Sequence, residues 1–232
     1  MRELRLRDGQ QGPLGHYWFL TFEHAPALHT ATAECQRGLD ANHFAATPIN
    51  GLHLTLDRIA RAGESTPEQL ARIAAAAEHA CAEQKPFVLT FERLVNIRAA
   101  IGFLVTPDER IRELHDALRT ATTSELPKAP VKDTLAALHV TVAYPIYEGL
   151  AAEAIAAVDA NEHRIGHIEV TVSDVAMVAL ERRGHGYQWE TTARIPLIGA
   201  QCPRSTDTAR TQPPQHTVPD GPTPRKSWRR IR

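Results

Sequence analysis

Apolar and polar positions recur along this chain with periods that mark out nearly every element. HYWFLTF, residues 16–22, is aromatic and β-prone and predicts a strand. After Pro26, residues 27–40 predict a helix. GLHLTLDRIA, residues 51–60, sets apolar residues against polar ones and predicts the next strand. TPEQLARIAAAAEHACAEQ, from Thr66, carries a cap residue, a proline at the first helical position and an alanine-filled interior, so it predicts a strong helix. PFVLTFERLVNI, residues 86–97, returns to strand.

The order then restarts. AIGFLVT, residues 100–106, predicts a strand, and a helix follows from Pro107 to about Thr120. A polar, proline-rich loop runs through Pro130, and AALHVTVAY, residues 136–144, predicts a strand. Residues 149–160 predict an alanine-rich helix, and two final strands cover roughly 165–180 and 186–198. Each half therefore reads strand, helix, histidine-bearing strand, helix, strand. Phe19 precedes His53 by 34 residues and Phe103 precedes His139 by 36, a repeat carried by element order rather than identity. Ile97 leads almost directly into Ala99, and Glu181–Gly186 is a turn. Links that short join antiparallel strands. The predicted class is α+β: a bilobal, duplicated fold with two largely antiparallel sheets and outer helices around a central cleft. Its domain is residues 1–199, with lobes of roughly 14–98 and 99–199 whose strands can exchange.

From Gly199 onward the periodicity stops. Residues 200–232 are rich in Pro, Thr and Arg and predict a disordered tail. Seven Lys/Arg against two Asp make that tail about +5, within a chain of net charge −1. The near-neutral total does not advertise a nucleic-acid or membrane partner. Cys35, Cys81 and Cys202 are odd in number and far apart, which argues against a disulfide framework and for a reducing compartment. The N-terminal MRELRLRDGQQG has no apolar core of a secretory signal, and no stretch has the ~18–20 apolar residues of a membrane span. A cytoplasmic monomer without a membrane partner is the expectation.

The candidate chemistry sits in LHLTL, residues 52–56, and LHVTV, residues 138–142. Residues i and i+2 of a strand share a face, about 6.6–6.8 Å apart. His53 and Thr55 therefore share one face, as do His139 and Thr141. A lone strand histidine is commonly a core residue satisfied by a backbone partner. The full apolar-framed triplet, however, is expected only about 0.1 times by chance in such a composition, and it occurs twice, at matching places in two similar halves. If the halves pack about a pseudo-two-fold, both faces converge on one cleft. Histidine titrates near neutral pH, so one ring can take a proton while the other gives one. The threonine hydroxyls can donate to phosphate oxygens where charge grows. The motif lacks the carboxylates of a zinc or two-metal site, so no metal and no cofactor is expected.

The pair of triplets, separated by 86 residues, resembles the H-x-[ST]-x signatures of the two-histidine phosphoesterase superfamily. It is similar above all to the bacterial 2′-5′ RNA ligase-like and cyclic phosphodiesterase branch. The resemblance covers roughly residues 14–199, including the closing GYQWETTARIPLIG. It implies metal-independent cleavage of 2′,3′-cyclic phosphate ends of RNA or nucleotides, usually leaving a 2′-phosphate. His53 would protonate the leaving 3′ oxygen, His139 would activate water, and Thr55 and Thr141 would hold the phosphate. Many relatives carry a basic residue shortly after the second motif, where this chain has Ala143, Tyr144 and Pro145. Arg58, after the first motif, can supply the positive charge instead. Trp18, Tyr144, Tyr187 and Trp189 are candidates for stacking on a base. The alternative is a non-catalytic nucleotide- or RNA-binding module that uses the same cleft, helped by the basic tail. Ligation, the reverse reaction, would use the same machinery.

Overall fold

The computed structural model describes residues 5–7, 9–132, 138–161 and 166–199. The predicted tail and the first residues of the predicted 136–144 strand lie outside them.

Among the described residues, nine strands and four α-helices follow in order: β1 (Gly12–Thr21), α1 (Pro26–Arg37), β2 (Phe44–Ala46), β3 (His53–Arg61), α2 (Pro67–Cys81), β4 (Phe87–Ile97), β5 (Ala100–Thr106), α3 (Asp108–Glu125), β6 (His139–Pro145), α4 (Ala151–Asn161), β7 (Ile168–Val172), β8 (Asp174–Arg183) and β9 (Gly186–Pro196). Local chemistry explains the strongest of them. The start of α2 is a reciprocal cap: Thr66 Oγ1 accepts from the Gln69 backbone N–H at 3.3 Å, and Gln69 Oε1 accepts from the Thr66 N–H at 2.9 Å. On α3 the buried Ile111, Leu114, His115, Leu118, Ala121 and Thr122 form a single stripe at helical spacing.

Two sequence boundaries need correction. The apolar run over 165–180 breaks at Ser173 into β7 and β8, which join different sheets. The three-residue β2 was not predicted; it is too short to carry a period and is held by pairing with β6.

The strands form two antiparallel sheets, ordered β3-β1-β8-β9 and β2-β6-β5-β4-β7. The α+β class and the duplication are plain in this order. In the first sheet, β1 lies between the motif strand β3 and β8; in the second, β5 lies between the motif strand β6 and β4. Each motif strand thus sits in a sheet that includes a strand from the other half of the chain. The β4–β5 and β8–β9 pairs are antiparallel hairpins, as their short links require.

One face of each sheet packs against helices, α2 and α3 over the first and α1 and α4 over the second. The main core joins Trp18, Leu20, Leu54 and Leu56 of the first sheet to Phe91, Phe103, Val140 and Val142 of the second. The other face of the first sheet carries a smaller cluster, Tyr17, Phe19, Val178 and Leu180, with Tyr187 and Trp189 against it. Among the described residues, no helix is long and apolar enough to cross a membrane.

Candidate active site

The motif strands bring His53, Thr55, His139 and Thr141 to the wall of one cavity of about 450 Å³. That volume lies within the range of small-ligand sites. Alternation explains the first residues of each motif: Leu54 and Val140 go to the core, and the histidines and threonines go to the cleft.

Beyond the threonines, both motif strands break their period at the same place. Phe19 pairs with Thr55 and Trp18 with Asp57, so Leu56 is an extra residue, a β-bulge. Gly102 pairs with Thr141 and Ile101 with Ala143, so Val142 is another. A bulge shifts the phase of every residue after it. Leu56 and Asp57 are consecutively buried, and so are Val142 and Ala143. The fifth residue after each histidine therefore rejoins the cleft face. These residues are Arg58 and Tyr144, and both line the cavity.

His53 is held on three sides. Its ring stacks on Phe19, with centroids 4.2 Å apart and planes 15° apart, and meets Trp189 edge-on at 4.9 Å. Its Nδ1 lies 2.9 Å from the Gly51 carbonyl oxygen, which can only accept, so Nδ1 carries a proton and Nε2 is left for chemistry. Burial lowers its pKa from 6.5 to about 4; the Gly51 carbonyl opposes the shift, and the nearby His139 adds to it. Thr55 is exposed in the cleft, whereas Thr141 is 7% exposed. Burial pushes the Tyr144 hydroxyl pKa up, and a hydrogen bond with Thr141 works against that shift. The Tyr144 ring meets Tyr187 edge-on at 5.3 Å.

Arg58 and its neighbour Asp57 point to opposite sides of β3. The Arg58 Nε–H donates to the Tyr17 hydroxyl at 2.6 Å, and the guanidinium carbon lies 5.0 Å from the centroid of the same ring. The Asp57 side chain is 1% exposed. It accepts from the backbone N–H of Arg58 at 2.8 Å and of Lys132 at 3.2 Å. His115 Nε2 of α3 lies 3.3 Å from its other oxygen, and that carboxylate raises the His115 pKa.

Of the residues nominated from the sequence, Arg58, Tyr144 and Tyr187 line the cavity with the four motif residues. Trp18 does not, and its nomination is corrected. It is fully buried on the other face of β1 and donates its Nε1–H to Thr122 Oγ1 at 3.0 Å. Strand parity gives the cleft face of β1 to Tyr17 and Phe19 instead. Tyr17 and Lys132 were missed. The signal for Tyr17 was its parity with Phe19, whereas Lys132 sits in a loop that no period reaches. Trp189 packs edge-on against His53 and lines a neighbouring cavity rather than the one that the motif residues share. Among the described residues, no group of three or more His, Cys, Asp or Glu is placed to hold a metal ion.

A duplicated α+β fold with two His-x-Thr strands on one cavity defines the class of two-histidine phosphoesterases. The family model of the 2′-5′ RNA ligase superfamily matches residues 21–184, and the chain belongs to that superfamily. Solved structures share the fold. TT0787 of Thermus thermophilus superposes with a TM-score of 0.59 at 17% identity, covering 79% of this chain and 98% of that one. LigT of E. coli gives 0.58 at 14% identity, covering 81% and 99%. A structure described as a phosphoesterase gives 0.55 at 18%, covering 80% and 99%. LigT has also been crystallised with 3′-AMP, with NADP+ and with phosphate. The search of curated protein sequences gave no match.

Proposed function

We propose that this protein is a metal-independent phosphodiesterase that hydrolyses 2′,3′-cyclic phosphate ends of RNA or nucleotides. The observation that carries this reading is the meeting of four motif side chains, one imidazole–hydroxyl pair from each repeat, on a single cavity. The nucleotide and phosphate complexes of LigT support a phosphate-bearing ligand.

In this reading the cyclic phosphate sits between the two pairs. His139 takes a proton from a water molecule as its oxygen bonds to phosphorus. The bond from phosphorus to O3′ breaks, and His53 Nε2 gives its proton to that oxygen. The product is a 2′-phosphate with a free 3′-hydroxyl. Thr55 and Thr141 donate hydrogen bonds to the non-bridging oxygens, where negative charge grows. Gly51 contributes by accepting from Nδ1, which fixes the ring and stabilises its cationic form. His53 is neutral in the empty cleft, and the incoming anion raises its pKa, so substrate binding and protonation are coupled.

The test is turnover of adenosine 2′,3′-cyclic phosphate in EDTA. The wild type is expected to yield the 2′-phosphate. His53→Ala and His139→Ala are each expected to lower kcat by about 10²–10⁴-fold, the usual worth of one positioned proton transfer. Full activity in either variant, or binding without turnover by the wild type, would remove the proposal; the second result would instead identify a binding module.

A further inference from the structure

We infer that the cleft contains a second anion subsite, formed by Arg58 and Lys132, and that the substrate carries a second phosphate group besides the cyclic one. This rests on the phosphodiesterase reading and adds its substrate class.

The backbones of the two residues are tied together at one point. A single Asp57 oxygen, Oδ1, accepts from the backbone N–H of both residues. Both residues line the same cavity as the motif pairs. Asp57 is not their counter-ion: its carboxylate is buried, takes up backbone donors and faces His115. Among the described residues, neither Arg58 nor Lys132 has an ion-pair partner. Arg58 is also aimed. The Tyr17 hydroxyl holds Nε and the Tyr17 ring lies under the guanidinium, which leaves both terminal nitrogens as a preset fork. A rigid guanidinium fork suits phosphate oxygens, and holding it in advance reduces the entropy lost on binding.

The charge is one-sided. The bulge after Thr55 turns Arg58 into the cleft, and the matching bulge after Thr141 turns in Tyr144. Beside the second motif the cavity is walled by the Tyr144 and Tyr187 rings. Arg182 lies near them, but its guanidinium is packed over Tyr187 and its Nε–H donates to the Gly184 carbonyl. The cavity thus has a cationic end at the first motif and an aromatic end at the second. A cyclic phosphate has one negative charge and is already met by four motif groups. The Arg58–Lys132 end calls for another anion, separated from the first by part of the substrate. A nucleotide offers two such groups: a 5′-phosphate, or the internucleotide phosphate next to a cyclic RNA end.

The experiment compares kcat/KM for three substrates: adenosine 2′,3′-cyclic phosphate, its 5′-phosphorylated form, and an adenylyl dinucleotide ending in the cyclic phosphate. The wild type is expected to prefer at least one of the two-phosphate substrates by about tenfold, as one charge-assisted contact at a partly exposed site allows. The favoured arm identifies the source of the phosphate. In Arg58→Gln the ratio should fall towards one, and Lys132→Gln should lower it in part. Tyr17→Phe, which removes only the hydroxyl, should also reduce the ratio and serves if Arg58→Gln folds poorly. Equal rates for all three substrates in the wild type would overturn the subsite. An equal fall for all three in Arg58→Gln, with the ratio intact, would also overturn it, because Arg58 would then grip the reacting phosphate. If the wild type turns over none of the three, the phosphodiesterase reading itself fails, and the subsite with it.

Discussion

At the level of single residues, His53 shows how packing sets a proton's affinity. The sequence made it and Thr55 legible as a cleft-facing pair, because strand alternation depends only on position. It did not show the enclosure that lowers the pKa, because Phe19 comes from β1 and Trp189 from β9, 136 residues further along the chain than His53. Burial is the largest cause of the shift to about 4. Trp189→Ala admits water beside the ring, so the His53 pKa should rise towards 6.5, measured from its Cε1–H chemical shift against pH. The kinetic sign follows. An acid must be protonated, and in the free protein that fraction falls as pH rises above about 4. Bound phosphate raises the pKa. The alkaline fall of kcat, which reports the complex, should therefore lie at higher pH than the alkaline fall in kcat/KM, which reports the free protein. Coincident limbs would show that the anion does not reach this ring.

Among the elements, what the sequence hid was interruption rather than identity. Strands that alternate or run apolar were legible, as was the capped α2. The two bulges were not, since Leu56 and Val142 look like ordinary apolar positions in a continuing strand. They become visible only in the register against β1 and β5, and they alone turn Arg58 and Tyr144 into the cleft. Ser173 is similar: IEVTVSDVAMVAL has no breaker, and the split into two sheets is a tertiary choice. The β4–β5 hairpin carries a cost of its own. Arg98 and Ala99 both have positive φ, 51° and 71°, a conformation that tight hairpin turns assign to Asn-Gly. Asn96 Oδ1 accepts from the Ala99 N–H at 2.8 Å and offsets part of that cost. Replacing Arg98-Ala99 by Asn-Gly should stabilise the protein by about 1 kcal/mol, the scale of left-handed strain in a non-glycine residue. Urea denaturation measures it, and an unchanged midpoint would mean that Asn96 already compensates.

Across the chain as a whole, duplication with strand exchange makes the two halves inseparable. Each motif strand is in a sheet completed by the other half, β3 with β8 and β6 with β4. Matched histidines hinted at the repeat, and with it at strands exchanged between the lobes; which strands exchange depends on long-range pairing that no local pattern records. The helix layer is tied to the cleft at one further point, the His115–Asp57 pair, whose side chains are 3% and 1% exposed. It joins α3 to β3, and Asp57 carries the link on to the Lys132 backbone. The Asp57 carboxylate raises the His115 pKa above its ordinary 6.5, and Asp116 at 3.2 Å from Nδ1 acts in the same sense; burial opposes them. In that case the folded protein holds this proton more tightly than the unfolded chain does. The stabilisation is fully present below about pH 6.5 and is lost as pH rises from there through the raised value in the fold. Urea unfolding of the wild type should accordingly show stability declining above about pH 6.5, and His115→Gln, which cannot titrate, should lose that component of the slope. An identical slope in the two proteins would assign the decline to other groups and reduce the His115–Asp57 pair to a packing contact.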